Sequence, residues 1–441
     1  MSFKRLPRKQ PLDIFLRFCD DYDYAFLFES IGDDENRARY SFMGFEPRIV
    51  VTIKDDLAYI SGEKLRVDDP LDVIRALVDR GQHHNRYRYI GGAVGYISYD
   101  SIRYWEKLPN ISIDDLGFPD VEMGIYDDGI IFDHLNNEAF YFYRGNNRYN
   151  EIIEKINKEP NIPILTFSTP RVNITRERYD EIICRTKEYI FLGDIFQAVL
   201  SKRYSASFEG GFQRFYMNLR RINPSPYMYF LKMYDRFIIG SSPETLVRVE
   251  NGLIETYPIA GTRPVTGDPE RDRALENELL NDSKEIAEHI MLLDLARNDL
   301  GRVSEFNSVR VAEFMRVCKY SHVQHIVSKV TGKLRKGCDC FDALKAVFPA
   351  GTVSGAPKVR AMGIIDELEG VRRGPYAGAV GYFSHNGNMD FAITIRTLFA
   401  KDGKFHIQVG SGIVADSTPE NEWLETEFKA RALMKALEES D

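Results

Sequence analysis

The chain has 441 residues, 44% of them hydrophobic and 28% charged, with a formal net charge of −8. This is the make-up of a folded globular protein of two or three domains, and the acidic balance argues against a non-specific nucleic-acid binder. No apolar run is long enough to span a bilayer, the start MSFKRLPRKQPLD lacks the apolar core of a secretory signal, and Cys19, Cys184, Cys318, Cys338 and Cys340 form neither a disulfide framework nor a zinc cage, so a reducing, cytoplasmic setting is expected.

Residues 24–30 (YAFLFES), 39–53 (RYSFMGFEPRIVVTI) and 89–100 (YIGGAVGYISYD) are rich in aromatic and β-branched residues and read as strands. Asp69-Pro70 opens a helical run over 69–80, since proline suits the first helical position. Residues 123–144 read as strands joined by turns at Asp128-Gly129 and Asn136-Asn137. The stretch 158–171 carries Pro160, Pro163 and Pro170 without clear periodicity and reads as a connector. It divides the chain into an N-terminal α+β domain (1–157), a connector (158–172) and a second domain (173–441).

In that second domain a helix is expected over 175–192, a strand over 195–206 and a helix near 211–222. Strands follow at 227–234, 236–242 and 244–260, with hairpin turns at Asn251-Gly252 and Asp402-Gly403. Strands adjoin in hairpins more than they alternate with helices, which gives an α+β fold with antiparallel sheets. GGAVGYISY (91–99) and AGAVGYFSH (377–385) echo one another and read as two sheets meeting the same packing demand.

The most informative stretch is DSKEIAEHIMLLDLARNDLGR (282–302). At 100° per residue its apolar side chains cover most of the circumference, as in a core helix. Glu285 and Glu288 nonetheless share a face of its first turn. Glu285 fits a capping box with Asp282; Glu288 does not, and a buried carboxylate asks for a partner or a metal. The spacing recurs in STPENEWLETEFKAR (417–431), where Thr418 and Pro419 start a helix that aligns Glu422, Glu425 and Lys429. Alone this is a solvated face with an i,i+4 ion pair. Facing the first pair, it makes an oxygen-only site suited to Mg²⁺.

Weaker signals lie between. AGTVSGAPKVRA (350–361) lacks the Gly-Lys-Ser/Thr of a phosphate loop and reads either as an anion nest or as a plain turn into a helix. Gly410 and Gly412 in IQVGSGIVADS (407–417) read as a turn whose N–H groups meet a carboxylate, or as a β-bulge. Arg396, in the apolar strand FAITIRTLF, needs an anion, either an internal acid or a substrate carboxylate. His325 is either structural or an acid–base group. No Gly-x-Ser-x-Gly elbow, His-Glu-x-x-His or elbow cysteine offers a covalent nucleophile or zinc site.

Taken together, PIAGTRP (258–264), KEIAEHIMLLDLARNDLGRV (284–303), SHVQHIVSKVTG (321–332), AGTVSGAPKVRAM (350–362), GPYAGAVGYF (374–383), IRTL (395–398), QVGSGIVADSTPENEWLET (408–426) and KARAL (429–433) resemble the chorismate-utilising enzymes. The resemblance is strongest to the large subunits of anthranilate synthases and extends more loosely to LFES (27–30) and RYSF (39–42).

The resemblance implies two interlocked α+β domains with large antiparallel sheets flanked by helices and a cleft between them. It implies a Mg²⁺-dependent lyase with Glu288 and Glu425 on the metal and Glu285 and Glu422 in support. Gly261, Thr262, Tyr376, Arg396, Gly410, Ser411, Gly412 and Lys429 would hold substrate carboxylates, Thr352 would lie near the ring, and His325 matches the family's catalytic histidine. The implied reaction joins ammonia to chorismate, giving aminodeoxyisochorismate, then expels pyruvate to leave anthranilate, the first committed step toward tryptophan. Ala260 stands where aminodeoxychorismate synthases, the alternative within the family, carry an attacking lysine. Gln197 stands where isochorismate synthases have a water-activating lysine. A non-catalytic chorismate- or amino-acid-binding regulator would lack the four glutamates and His325. With no amidotransferase nucleophile here, a separate glutamine amidotransferase subunit is implied, in a heterodimer or heterotetramer. Glu29, Ser30, Pro226, Tyr227 and Met228, with Asn223, resemble a tryptophan feedback site.

Overall fold

The computed structural model describes residues 1–31, 39–78, 86–319 and 323–440. The end of the expected 69–80 helix (Asp79 and Arg80) and Ser321 and His322 of the 321–332 motif lie outside them. The described chain builds two large antiparallel sheets, of thirteen and twelve strands. Through the first run, in spatial order, Tyr40–Phe45, Tyr24–Glu29, Tyr227–Met233, Arg236–Ser242, Thr397–Lys401, Lys404–Ile413 and Gln197–Glu209. Through the second run Ile259–Pro264, Val323–Lys333, Leu253–Thr256, Thr245–Glu250, Met389–Ile393, Ala379–Ser384, Gly92–Ile97, Val121–Tyr126 and Ile49–Lys54.

Both sheets take strands from either side of the 158–172 stretch, so the two halves of the chain interlock. That stretch itself adds two short strands, Thr166–Phe167 and Arg171–Val172, to the flank of Gln197–Glu209. Phe26, Phe42, Tyr89, Tyr229, Ile238, Phe383 and Phe391 belong to a core shared by the two sheets. A second core lies under the helices on the outer face of the first sheet, with Phe15, Ile152, Phe215 and Leu433. Each such side chain, taken from water, contributes roughly 1.5–3 kcal/mol.

Several expectations change. Residues 39–53 form two strands, because Glu46 at φ +56 and Pro47 break the run. Asn136-Asn137 does turn a hairpin, but Asp128-Gly129 does not. The chain leaves the second sheet at Tyr126 and joins the first at Asp128, and a Cβ on Gly129 would lie 2.7 Å from Met43 O. The echoing segments lie in one sheet rather than two. Gly92–Ile97 and Ala379–Ser384 are neighbours with Gly95 opposite Gly381, where a Cβ would stand 2.0 Å from Glu122 O and 2.1 Å from Asp390 O respectively. Here glycine permits close approach of backbones.

The central helix, Ser283–Gly301, is not enclosed on all sides. Leu292, Leu293 and Leu300 are buried, whereas Ile290 is 42% exposed, because only one face packs on the second sheet. A helix not foreseen in the sequence, Pro269–Asn281, precedes it, capped by Asp268.

Candidate functional site

Two helix starts bring the acids into one cleft. The central helix is capped by Asp282, which accepts from the N–H groups of Lys284 and Glu285. Glu285 does not complete a capping box. Its carboxylate instead accepts from Arg263 at 3.2 Å, and Arg263 also binds Asp282. One turn on, Glu288 accepts from Gln197 Nε2 at 2.9 Å.

The C-terminal helix, Pro419–Glu438, is capped by Thr418 as expected, with Pro419 first. Trp423 anchors it, packed edge-on against Tyr179 with Lys202 Nζ over its ring. On this helix Glu425 pairs with Lys429 at 2.5 Å, and Lys429 Nζ donates to Gly410 O at 2.8 Å. Burial holds Glu288 above the usual carboxylate range, with like-charge repulsion from Glu285 and Glu425 adding to it. Burial, then Glu425, does the same to Glu422, whose Oε2 is buried with no hydrogen-bond partner among the described residues. Crowded carboxylates and an orphaned oxygen fit a hard cation. Among the described residues no three His, Cys, Asp or Glu side chains form a ready-made cage.

Beside the acids lie small residues and the Arg396 guanidinium. Gly410 and Gly412 are not in a turn; they lie inside strand Lys404–Ile413, opposite Ser201 and Val199. A Cβ on Gly410 would stand 2.7 Å from Tyr376 Oη, and one on Gly412 2.5 Å from Gln197 Nε2. Ser411 points its hydroxyl the other way, 3.2 Å from Tyr179 Oη. Arg396 is likewise outside a strand. It sits in the passage from Met389–Ile393 to Thr397–Lys401 at φ +52, between the two sheets. Among the described residues no carboxylate reaches ion-pair distance of its guanidinium; Glu425 and Glu244 act on it only through the field, beside Tyr376.

His325 Nδ1 lies 2.7 Å from Gly261 O and 3.1 Å from Thr262 Oγ1. A carbonyl only accepts, so Nδ1 carries the proton and Nε2 is the basic nitrogen. Desolvation, then Arg396 and Lys429, push the His325 pKa down to about 4. Gly261 has φ +69 at an irregularity in the pairing of Ile259–Pro264 with Val323–Lys333, which suits glycine. The 350–361 segment makes a short 3-10 turn at Gly351–Val353, a two-residue strand and then a helix from Lys358, whose Nζ binds Asp299 at 2.7 Å and Val347 O.

In the cleft, Glu244 escaped the sequence reading. Glu244, in the Ser-Ser-Pro-Glu-Thr run 241–245, is buried, accepts from Thr352 Oγ1 at 2.8 Å and faces Arg396 and Lys429. Burial pushes its pKa up to about 7 despite those neighbours. An acid that is half-protonated at neutral pH can donate a proton to a leaving group.

A second cavity lies between the sheets. Ser30, Pro226, Tyr227 and Met228 line it as expected, and Ser30 Oγ is buried with no hydrogen-bond partner among the described residues. Glu29 lines it too, but its carboxylate turns to the far side of the sheet. There it accepts from Tyr216 Oη at 2.9 Å and from Arg220, so it is not offered to a ligand's amino group. Asn223 donates to Ser241 Oγ at 2.9 Å. Arg88, Arg248 and Asp390, not singled out in the sequence, also line this cavity.

Comparison with known proteins places these features in context. A family model described as chorismate binding enzyme matches residues 23–435. The anthranilate synthase component 1 of Methanothermobacter marburgensis is 48% identical over 439 residues, 99% of this chain and 94% of that protein. The crystal structure of anthranilate synthase component I from Streptococcus pneumoniae superposes with a TM-score of 0.83 at 39% identity, covering 92% of this chain and 93% of that one. The menaquinone-specific isochorismate synthase of Escherichia coli shares the fold at a TM-score of 0.75 and 18% identity, covering 99% of this chain and 94% of that one.

Proposed function

The chain belongs to the family of chorismate binding enzymes, and from that premise we propose that it acts as the chorismate-converting subunit of an anthranilate synthase. In this reading it is a cytoplasmic lyase that turns chorismate and ammonia into anthranilate and pyruvate. The observation that carries the reading is the convergence in one cleft of a crowded carboxylate cluster, a guanidinium with no carboxylate partner among the described residues, and a buried acid with a pKa of about 7.

Glu288 and Glu425 would hold Mg²⁺, with Glu285 and Glu422 behind them. When bound, the ion supplies charge neutralisation for the ring carboxylate and helps the hydroxyl leave. Arg396 and Tyr376, with Lys429 and the backbone of strand Lys404–Ile413, bind the substrate's carboxylates and fix its orientation. Glu244, held by Thr352, donates its proton to the departing hydroxyl as ammonia adds, which gives aminodeoxyisochorismate and water. His325, neutral and basic at Nε2, serves proton removal as pyruvate is lost and the ring becomes aromatic. Ala260 has no nucleophile and Gln197 no basic group, so neither the lysine-adduct route nor water activation has a residue to carry it.

Ammonia would reach the cleft from a separate glutamine amidotransferase subunit in a heterodimer or heterotetramer. Tryptophan would occupy the cavity between the sheets and inhibit. The test mixes the purified chain with chorismate, Mg²⁺ and ammonium and follows anthranilate fluorescence, with Glu288→Gln and Glu425→Gln alongside. Anthranilate from wild type alone supports the reading. An amino product that keeps its pyruvyl ether points to aminodeoxychorismate synthesis, and binding without turnover points to a regulator.

A further inference from the structure

At the cleft the chain passes between the two sheets twice, side by side. One passage, Pro243 and Glu244, leads from strand Arg236–Ser242 of the first sheet into Thr245–Glu250 of the second. The other, Thr394–Arg396, leads back from Met389–Ile393 to Thr397–Lys401. They are tied together: Ser242 Oγ donates to Ile393 O at 2.7 Å, Ile393 N to Glu244 O at 3.0 Å, and Ser241 N to Arg396 O at 3.1 Å. One passage delivers the Glu244 carboxyl to the cleft and the other delivers the Arg396 guanidinium.

Tyr227, in the wall of the inter-sheet cavity, reaches the same place from behind. Its hydroxyl lies 2.9 Å from Thr245 Oγ1, donates to Asp390 Oδ1 at 2.7 Å and accepts from Arg248 Nη2 at 3.2 Å. The start of a first-sheet strand is thus pinned to two second-sheet strands, at the residue next to Glu244 and three residues before Ile393. The pairing of those two strands is irregular between Thr245 and Val247 and resumes with Thr245 opposite Ala392, so the tie from Tyr227 meets the ladder just beyond its irregularity and beside Glu244.

We infer that Tyr227 and Thr245 are positioning residues for Glu244 and Arg396, and that they transmit occupancy of the inter-sheet cavity to the catalytic cleft. The identity of the cavity's ligand rests on the tryptophan reading above; the positioning role does not. A ligand seated there lies against the Tyr227 ring and beside Arg248, and it favours whichever arrangement of the Tyr227 hydroxyl its own contacts prefer. Coupling of this kind is reciprocal, so chorismate and the cavity ligand change one another's affinity by the same factor.

The test uses Thr245→Val with two readouts. The first is the alkaline limb of kcat against pH without tryptophan, which reports Glu244, faced by Arg396 from the neighbouring passage and by Lys429 from the C-terminal helix. Loosening Glu244 lets water in, and the limb should move down by about half a unit or more. The second pairs calorimetric tryptophan binding with inhibition of the ammonia-dependent rate. The variant should bind tryptophan within about threefold of wild type yet lose most of the inhibition.

An unmoved limb overturns the positioning role, and undiminished inhibition overturns the transmission. If wild type binds no tryptophan, the feedback reading fails and the limb alone decides. Should Thr245→Val not fold by circular dichroism, Tyr227→Phe removes the hydroxyl that meets Thr245 and Asp390 while keeping the ring in the cavity wall, and is judged by the same readouts.

Discussion

Glu244 should cost the fold what it gives the chemistry, and Glu244→Gln separates the two. Burial raises its pKa from 4.5 to about 7, against the opposing pull of Thr352, Arg396 and Lys429. At 1.36 kcal/mol per unit that is roughly 3 kcal/mol held against the ionised form. The sign follows from proton binding. Between pH 4.5 and 7 the folded chain holds a proton that the unfolded chain has released, so stability falls as pH rises. Below that window the group is neutral in both states; above it the full penalty applies.

Glutamine cannot ionise and keeps an oxygen for Thr352 Oγ1. Glu244→Gln should therefore match wild type in urea denaturation near pH 4.5 and exceed it by up to roughly 3 kcal/mol above pH 7. It should also lose about 10²–10⁴-fold in ammonia-dependent kcat, having no proton to give. A stability difference that is the same at every pH would refute the assignment of the raised pKa. A fully active glutamine variant would refute the acid role.

Gly95→Ala would put a Cβ 2.0 Å from Glu122 O, a backbone atom of the next strand that cannot swing away; urea melts should show a loss of about 3 kcal/mol or more. Gly412→Ala meets only the tip of Gln197, so the fold should survive while Gln197 is displaced from Glu288; Mn²⁺ titration should then show about 10–100-fold weaker metal binding. With its pKa held to about 4, His325 stays a neutral base well below pH 6, so kcat should show no histidine-type fall between pH 7 and about 5. His325→Ala should lower kcat by about 10²–10⁴-fold with its remaining pH profile otherwise unchanged.

What the sequence disclosed was local, and what it hid depended on neighbours far along the chain. Asp282 and Thr418 announce the two helix starts because a cap and its amide lie within three residues, and the spacing of Glu285, Glu288, Glu422 and Glu425 follows from the helix itself. The glycines misled, since one residue type serves both turns and close approach. Gly129, Gly410 and Gly412 look like turn formers until Met43 O, Tyr376 and Gln197 are found where a Cβ would go. Arg396 read as a strand residue because its neighbours are apolar, although they are apolar by packing between two sheets. Glu244 opens the expected 244–260 strand and reads as an ordinary strand-end acid. Only the assembled sheets show that it lies in an enclosed passage just before Thr245–Glu250, and nothing within several residues carries that information.

The location of Glu244 and Arg396 has a physical logic. Within a paired strand the backbone is bound to its neighbours and side chains alternate strictly between faces, so a strand has little freedom to aim one group at a substrate. A passage between sheets is released from that alternation. It can hold Arg396 at φ +52, at a cost of roughly 1–2 kcal/mol, and turn a carboxyl into a dry interior. Such strain persists only where the surroundings over-determine it. Here the Ser242–Ile393, Ile393–Glu244 and Ser241–Arg396 bonds hold each passage by the other, and the sheets on either side are fixed by the core they share. Interlocking also explains why neither half of the chain could form the cleft alone. Gly92–Ile97 from the N-terminal half pairs with Ala379–Ser384, Tyr24–Glu29 pairs with Tyr227–Met233, and the passages that carry Glu244 and Arg396 run between the sheets these pairings complete.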